Sequence, residues 1–266
     1  MKNEAETFLS LFKFNPQLTR KIGVERERFL TKANSMPVPI AKNFLKIIDD
    51  SRWTNELSAC QVEDRTRPKD SILGIWLEML KNDRAGNKTA EKMGVKLTAV
   101  EVAQANMPFD VFPTLHYKSI SKQISQEQLE AACRVAGTHI HIGMTDWEDA
   151  IWCHNVLIKW LDYLCEIGDN SCGKRLSLYK VMAKNWMPQR IKNTEHFFSL
   201  AKEQGFVSDP RSCYWLIRIS VYGTVELRMF GAPTKRKDVI RYIGIIRQIL
   251  RSEHRKSSPN RSRFSI

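Results

Sequence analysis

The chain has 266 residues, 42 of them Lys or Arg and 29 Asp or Glu, for a formal charge of +13. Hydrophobic residues make up 42% and aromatic ones 9%, enough apolar surface for a sizeable core, which excludes wholesale disorder. The longest apolar or Gly stretch, 72–77, is far short of the roughly 18–20 residues that cross a bilayer, and no apolar signal segment follows Met1-Lys2-Asn3-Glu4. The expectation is a cytoplasmic protein with no membrane partner.

In chain order, residues 4–13 read as a short amphipathic helix with Phe8, Leu11 and Phe12 on one side, stopped by Pro16. A strand is predicted over 21–30, where Ile22, Val24 and Arg26 alternate with Gly23, Glu25 and Glu27. After a turn at 36–39, apolar spacing predicts a helix over 38–48, extended chain over 53–62 and a helix over 71–81. Short strands are expected at 95–102 and 111–117. Two capping boxes, Ser125-x-x-Gln128 and Thr145-x-x-Glu148, predict helices to about 135 and 165. Between them Gly137-Thr-His-Ile-His-Ile-Gly143 reads as a buried strand. Helices are predicted at 176–183, 189–204 and 237–252, and a strand region at 213–230 is broken by Tyr222-Gly223. The economical division is one domain, 1–253, with a basic, disordered tail at 254–266. Cys60, Cys133, Cys153, Cys165, Cys172 and Cys213 include no Cys-x-x-Cys pair, which fits reduced thiols.

Three of the predicted strands carry ionisable residues at i and i+2: Glu25 with Glu27, His139 with His141, and Glu226 with Arg228. Each pair points to one side of its strand, while Val24, Ile140, Ile142, Val225 and Leu227 point to the other. Arg26 and Arg28 do not follow that division cleanly. Two carboxylates on one half-buried face repel and call for a cation between them. Oxygen ligands with an imidazole suit Mg²⁺, or Mn²⁺, better than a thiolate-seeking metal. Glu56 and Glu63 are further candidate ligands. Taken singly, the pairs read as a solvated edge strand, a core histidine pair or zinc site, and a cross-strand salt bridge; their conjunction favours a common site.

Four blocks, in order, resemble the glutamate-cysteine ligases and related carboxylate-amine ligases. They are Ile22-Gly-Val-Glu-Arg-Glu-Arg-Phe29, the segment Glu56 to Thr66, Ala136-Gly-Thr-His-Ile-His-Ile-Gly143, and Pro210 to Phe230 with Tyr214-Trp215 and Gly223-Thr-Val-Glu-Leu-Arg-Met-Phe. The resemblance implies an α+β, glutamine synthetase-like fold, with a mainly antiparallel curved sheet, a charged concave face and helices on the other face. It further implies that Glu25, Glu27, Glu56, Glu63, His139 and Glu226 hold Mg²⁺ on the phosphates of ATP. His141 would lie near those phosphates, Arg228 would contact the transferring phosphoryl group or the substrate carboxylate, and Glu63 and Glu226 would share in catalysis. The implied activity joins a carboxylate, such as glutamate, a similar amino acid or a peptide, to an amine through an acyl phosphate; a homo-oligomer is compatible with the sequence.

Basic segments allow a second reading. Lys174, Arg175, Lys180, Lys184, Arg190 and Lys192 interleave with Tyr179 and Trp186, and Arg251, Arg255, Lys256, Arg261 and Arg263 crowd the end of the chain. A repurposed ligase fold that binds nucleic acid through this surface is the alternative. A zinc hydrolase is a third.

Overall fold

The computed structural model describes residues 3–257. Helix α1 (Glu4–Leu9) is shorter than expected, closed by an Asn3/Glu6 capping box and burying only Phe8. Strand β1 (Ile22–Thr31) and helix α2 (Ala41–Ile48) follow. The extended segment resolves into a hairpin of β2 (Trp53–Asn55) and β3 (Gln61–Arg65). Helix α3 (Ile72–Lys92) continues well past residue 81. The middle of the polar run that signals an end there is turned inward instead, with Asn82 donating to Asp64 at 2.9 Å and Asp83 pairing with Arg28 at 2.8 Å, while Lys81 and Arg84 stay exposed. Gly86 lets the helix pass Trp53: a Cβ there would stand 2.5 Å from the indole.

Strand β4 (Lys96–Thr98) is short. The strand expected at 111–117 is not present: Val111 makes only an isolated bridge to Ser58, and helix α4 (Leu115–Gln123) begins where the Thr114 hydroxyl accepts from the Tyr117 amide. Helix α5 (Gln126–Arg134) has the predicted Ser125/Gln128 capping box, and β5 (Gly137–Gly143) is buried throughout. The second predicted box is replaced by an Asp146 cap that accepts from the Asp149 amide. The long helix expected behind it is two, α6 (Trp147–Ile158) and α7 (Leu161–Gly168). Helix α8 (Lys174–Met182) is followed by α9 (Thr194–Glu203), which starts at an Asn193 cap rather than at 189. Strands β6 (Ile217–Ser220) and β7 (Thr224–Gly231) flank the Tyr222-Gly223 turn, and helix α10 (Arg236–Ser257) runs beyond residue 252. Residues 258–266, the greater part of the predicted tail, lie outside the described residues.

The strands form one sheet in the order β2-β3-β1-β5-β7-β6, with β4 also on β1, and every pairing is antiparallel, as expected. Val24, Ile140, Ile142, Ile217, Ile219, Val225 and Leu227 pack in one cluster with Val156 and Leu157 of α6, Phe197 and Leu200 of α9 and Ile243 and Ile246 of α10. At about 1.5–3 kcal/mol for each fully buried aliphatic side chain, this face anchors the fold. The alternation leaves the opposite face to the ionisable pairs.

Arg26 and Arg28 obey that alternation after all. They sit on the helix-covered face, where Arg26 pairs with Asp64 at 2.8 Å and Asp83 at 3.0 Å, and Arg28 with Asp83 at 2.8 Å. Asp64 alternates with Glu63 along β3, so one strand serves the buried arginines on one face and the acidic site on the other. Gly143, at the end of β5, is required by close approach, since a Cβ would stand 1.8 Å from the Leu18 carbonyl oxygen.

Candidate active site

Strand register builds the site. Cross-strand partners lie close enough for their side chains to touch. Glu25 faces His139 across β1–β5, Glu27 faces Glu63 across β1–β3, and Glu226 of β7 faces His141 of β5 on one side and Arg218 of β6 on the other. Glu25 Oε2 stands 3.5 Å from His139 Nδ1 and 3.2 Å from His141 Nε2, and Glu27 Oε1 stands 3.5 Å from His139 Nε2. Glu226 completes the ring, 3.8 Å from His139 and 4.0 Å from His141.

These side chains fall into three overlapping donor triads whose ligand atoms lie within 4.8 Å of one another: Glu25, His141 and Glu226; Glu25, Glu63 and His139; and Glu27, Glu56 and Glu63. All eight residues picked out along the chain, Arg228 included, thus lie in one continuous cluster, and His141 stands among the donors. Its buried Nε2 has no partner in hydrogen-bond geometry, while its Nδ1 is 2.9 Å from the Thr224 hydroxyl.

The electrostatics divide the cluster. Burial, then the charges of Glu27 and Glu25, push the Glu56 carboxyl up to about 8. Glu63 is likewise raised, by burial and then by Glu25, Glu56 and Glu27. Glu25 and Glu226 go the other way. Burial opposes their ionisation, but the histidines hold Glu25 well below the usual carboxylate range, and Arg218, Arg228 and His141 do the same for Glu226. His141 is raised in turn, Glu25 and Glu226 outweighing its burial. One end, around Glu56 and Glu63, is therefore short of positive charge, and the other is supplied by protein cations. Carboxylates gathered without enough counter-charge, beside two imidazoles, are a donor set that fits a hard divalent cation.

Arg228 Nε donates to the Tyr179 hydroxyl at 3.2 Å, and its Nη1 pairs with Glu226. Arg218, not singled out in the sequence, donates to Glu226 from Nε at 2.7 Å. Its signal was present: Ile217-Arg-Ile-Ser220 is one more alternating strand with a cation on the polar face. Tyr179 was also overlooked as a site residue, because a helix position carries no such two-residue signature. Of the six cations between 174 and 192, Arg175 is buried, donating to the carbonyls of Ala136, Met229 and Arg228; the other five are exposed.

Two cavities flank the cluster. One, of about 300 Å³, is lined by Lys21, Gly23, Glu25, Arg65, His141 and Tyr222 among others. The second, of about 220 Å³, reaches from Glu27, Glu56, His139 and Arg228 to helices α4, α5 and α8.

A family model described as glutamate-cysteine ligase family 2 matches residues 21–261, nearly the whole chain. The chain belongs to that family. Among members of glutamate-cysteine ligase family 2 with curated names, it is 26% identical over 246 residues to a Mycolicibacterium vanbaalenii protein named "Putative glutamate--cysteine ligase 2-2", covering 85% of this chain and 66% of that one. It is 21% identical over 259 residues to a Legionella pneumophila (strain Corby) protein named "Putative glutamate--cysteine ligase 2-1", covering 87% and 66%. The chain thus spans just under two thirds of the length of these relatives. Its fold is similar to that of a bifunctional glutathione synthetase from Pasteurella multocida, with a TM-score of 0.61 at 10% identity over 92% of this chain and 39% of the other.

Proposed function

We infer that this glutamate-cysteine ligase family 2 chain is an ATP- and Mg²⁺-dependent ligase that joins a carboxylate to an amine, with ADP and phosphate as products. The observation that carries the reading is the set of three overlapping donor triads between two cavities, one walled by Lys21 and Arg65 and the other by Arg228. Glu25, Glu226, His139 and His141 would hold divalent cation on the first side, and Glu27, Glu56 and Glu63 on the second. Bound there, Mg²⁺ supplies charge neutralisation for phosphoryl oxygens. The nucleotide belongs in the first cavity, where Lys21 and Arg65 suit phosphates, and the carboxylate in the second.

The substrate carboxylate oxygen attacks the γ-phosphorus; that O–P bond forms as the bond to the β-phosphate oxygen breaks and ADP departs. Arg228, held by Tyr179 and Glu226, lies where it can offset charge on the transferring group and needs no rearrangement to do so. The neutral amine then attacks the acyl carbon, phosphate leaves, and the nitrogen gives up a proton to form the amide. The mechanism needs no covalent protein nucleophile.

Hydroxylamine in place of the amine is the direct test. ADP formation with an equal amount of hydroxamate supports the reading, and release of AMP overturns it. The family's names would make glutamate the carboxylate.

A further inference from the structure

Arg20 and Lys21 are consecutive in the chain and line different cavities. Lys21, Gly23 and His141 belong to the one beside the acidic centre, whereas Arg20, Ile22 and Ile142 line another, of about 570 Å³, that shares no lining residue with it. Ile22 and Ile142 face each other across β1–β5 and alternate with Gly23 and His141, so this larger cavity lies behind the sheet, on the face that packs on helices. Helix α10 supplies another wall with two i, i+4 pairs, Ile246 with Leu250 and Arg247 with Arg251.

Burial divides the lining. Ile22, Ile142, Ile246 and Leu250 are buried members of the core cluster, Arg251 and Asp70 are exposed, and Arg20, Arg247 and Trp152 lie between these extremes. The inner end is therefore apolar and the mouth charged, with three arginines against one acid, Asp70. Arg20 is already matched: its two terminal nitrogens donate to Asp149 at 3.0 and 2.6 Å, and its guanidinium lies 5.6 Å from the centre of the Trp152 ring. Arg247 and Arg251 are not matched. Arg247 donates to the Asp70 backbone carbonyl, a neutral acceptor that leaves the charge in place, and Arg251 forms no ion pair among the described residues. One turn apart, the two repel: burial and then Arg251 hold Arg247 below its ordinary value, against the pull of the Asp70 carboxylate. An anion between them would relieve that repulsion. Residues 258–266, which follow α10, contain Arg261 and Arg263 and no Asp or Glu, so their side chains offer no such anion.

We propose that this cavity is a second ligand site, which takes an anion with an apolar body, such as a medium-chain carboxylic acid, its head at Arg247 and Arg251 and its body against Ile22, Ile142 and Ile246. The volume falls within the roughly 300–1,000 Å³ of small-molecule sites. The assignment uses no group of the acidic centre and stands apart from the ligase reading. Calorimetric titration of the full chain compares octanoate with acetate, which lacks the body, and with 1-octanol, which lacks the charge. Octanoate is expected to bind at least about tenfold more tightly than either, because buried methylenes and a charged head each contribute. Arg251→Glu, at an exposed helix position, should weaken octanoate at least about tenfold. Arg228→Ala should leave octanoate binding unchanged, which separates this cavity from a carboxylate subsite at the acidic centre. No binding of octanoate, equal affinity for acetate or 1-octanol, unchanged affinity in Arg251→Glu, or loss of binding in Arg228→Ala would overturn the proposal.

Discussion

In the proposed mechanism the charge stabilisation falls on one guanidinium, that of Arg228. It is buried against Tyr179 and paired with Glu226, and that surrounding keeps it charged and aimed. Arg228→Ala should lower the rate of ADP formation by about 100- to 1,000-fold, the usual effect of losing one preorganised charge partner, as read in steady-state assays. The pH dependence follows from Glu56 and His141, both raised above their ordinary values. Between pH 6.5 and about 8 the unfolded chain has already released protons that the metal-free fold retains at these groups, so stability falls as pH rises. The buried His154, pushed down to about 4, opposes this trend only near pH 6.5, where the unfolded imidazole is still losing its proton; there it offsets His141 and leaves the Glu56 contribution standing. Thermal melts in chelator should therefore show a Tm that declines from pH 6.5 to 8. Mg²⁺, which requires deprotonated ligands, should bind more tightly over the same interval and remove the decline.

Among the elements, α3 shows how tertiary packing overrides local preference. An exposed Gly inside a helix costs about 1 kcal/mol against Ala, so Gly86→Ala would ordinarily stabilise. Here the new methyl meets the Trp53 indole at 2.5 Å and the Leu97 side chain at 2.8 Å, and overpacking of this kind costs about 1–3 kcal/mol. Urea unfolding of Gly86→Ala should show net destabilisation. A gain in stability would mean that Trp53 and β4 yield to the helix. The same helix supplies Asp83 to the arginines of β1 and Asn82 to Asp64 of β3, so it braces the reverse face of the strands that carry Glu25, Glu27 and Glu63.

At the scale of the molecule, the apolar face of the sheet packs on helices while its polar face holds one acidic centre between two cavities, the second of them walled by α4, α5 and α8. Mg²⁺-ATP at about 100 times its dissociation constant should add roughly 2.7 kcal/mol, a rise of several degrees in Tm for a chain of this size. The shift should vanish without metal and in a Glu25→Gln, Glu27→Gln double variant. A shift that survives in that variant would place the nucleotide elsewhere. The nucleic-acid alternative gains no support from the family match or the relatives, and the exposed cations between 174 and 192 fit a solvated surface.

Most of the site was legible because strands write their faces with a period of two. Glu25 and Glu27, His139 and His141, and Glu226 and Arg228 each share a side whatever the rest of the fold does, and β5 with its flanking glycines could be read for the same reason. Register could not be read, and register is what sets Glu226 between His141 and Arg218 and makes three donor triads from scattered pairs. The role of Arg26 and Arg28 was hidden because their partners Asp64 and Asp83 lie far along the chain, and an arginine beside an unseen carboxylate looks like a surface charge. Helix ends were misplaced at α3 and α6, and α4 was read as a strand, where a cap or a partly buried polar run answers to contacts beyond the local window. By itself the sequence determined the faces of the strands and the residues able to bind a cation, since covalent alternation needs no partner. The tertiary structure decided which of them meet, how their charges divide, and which residues wall the neighbouring cavities, because each depends on groups distant in the chain being brought out of water together.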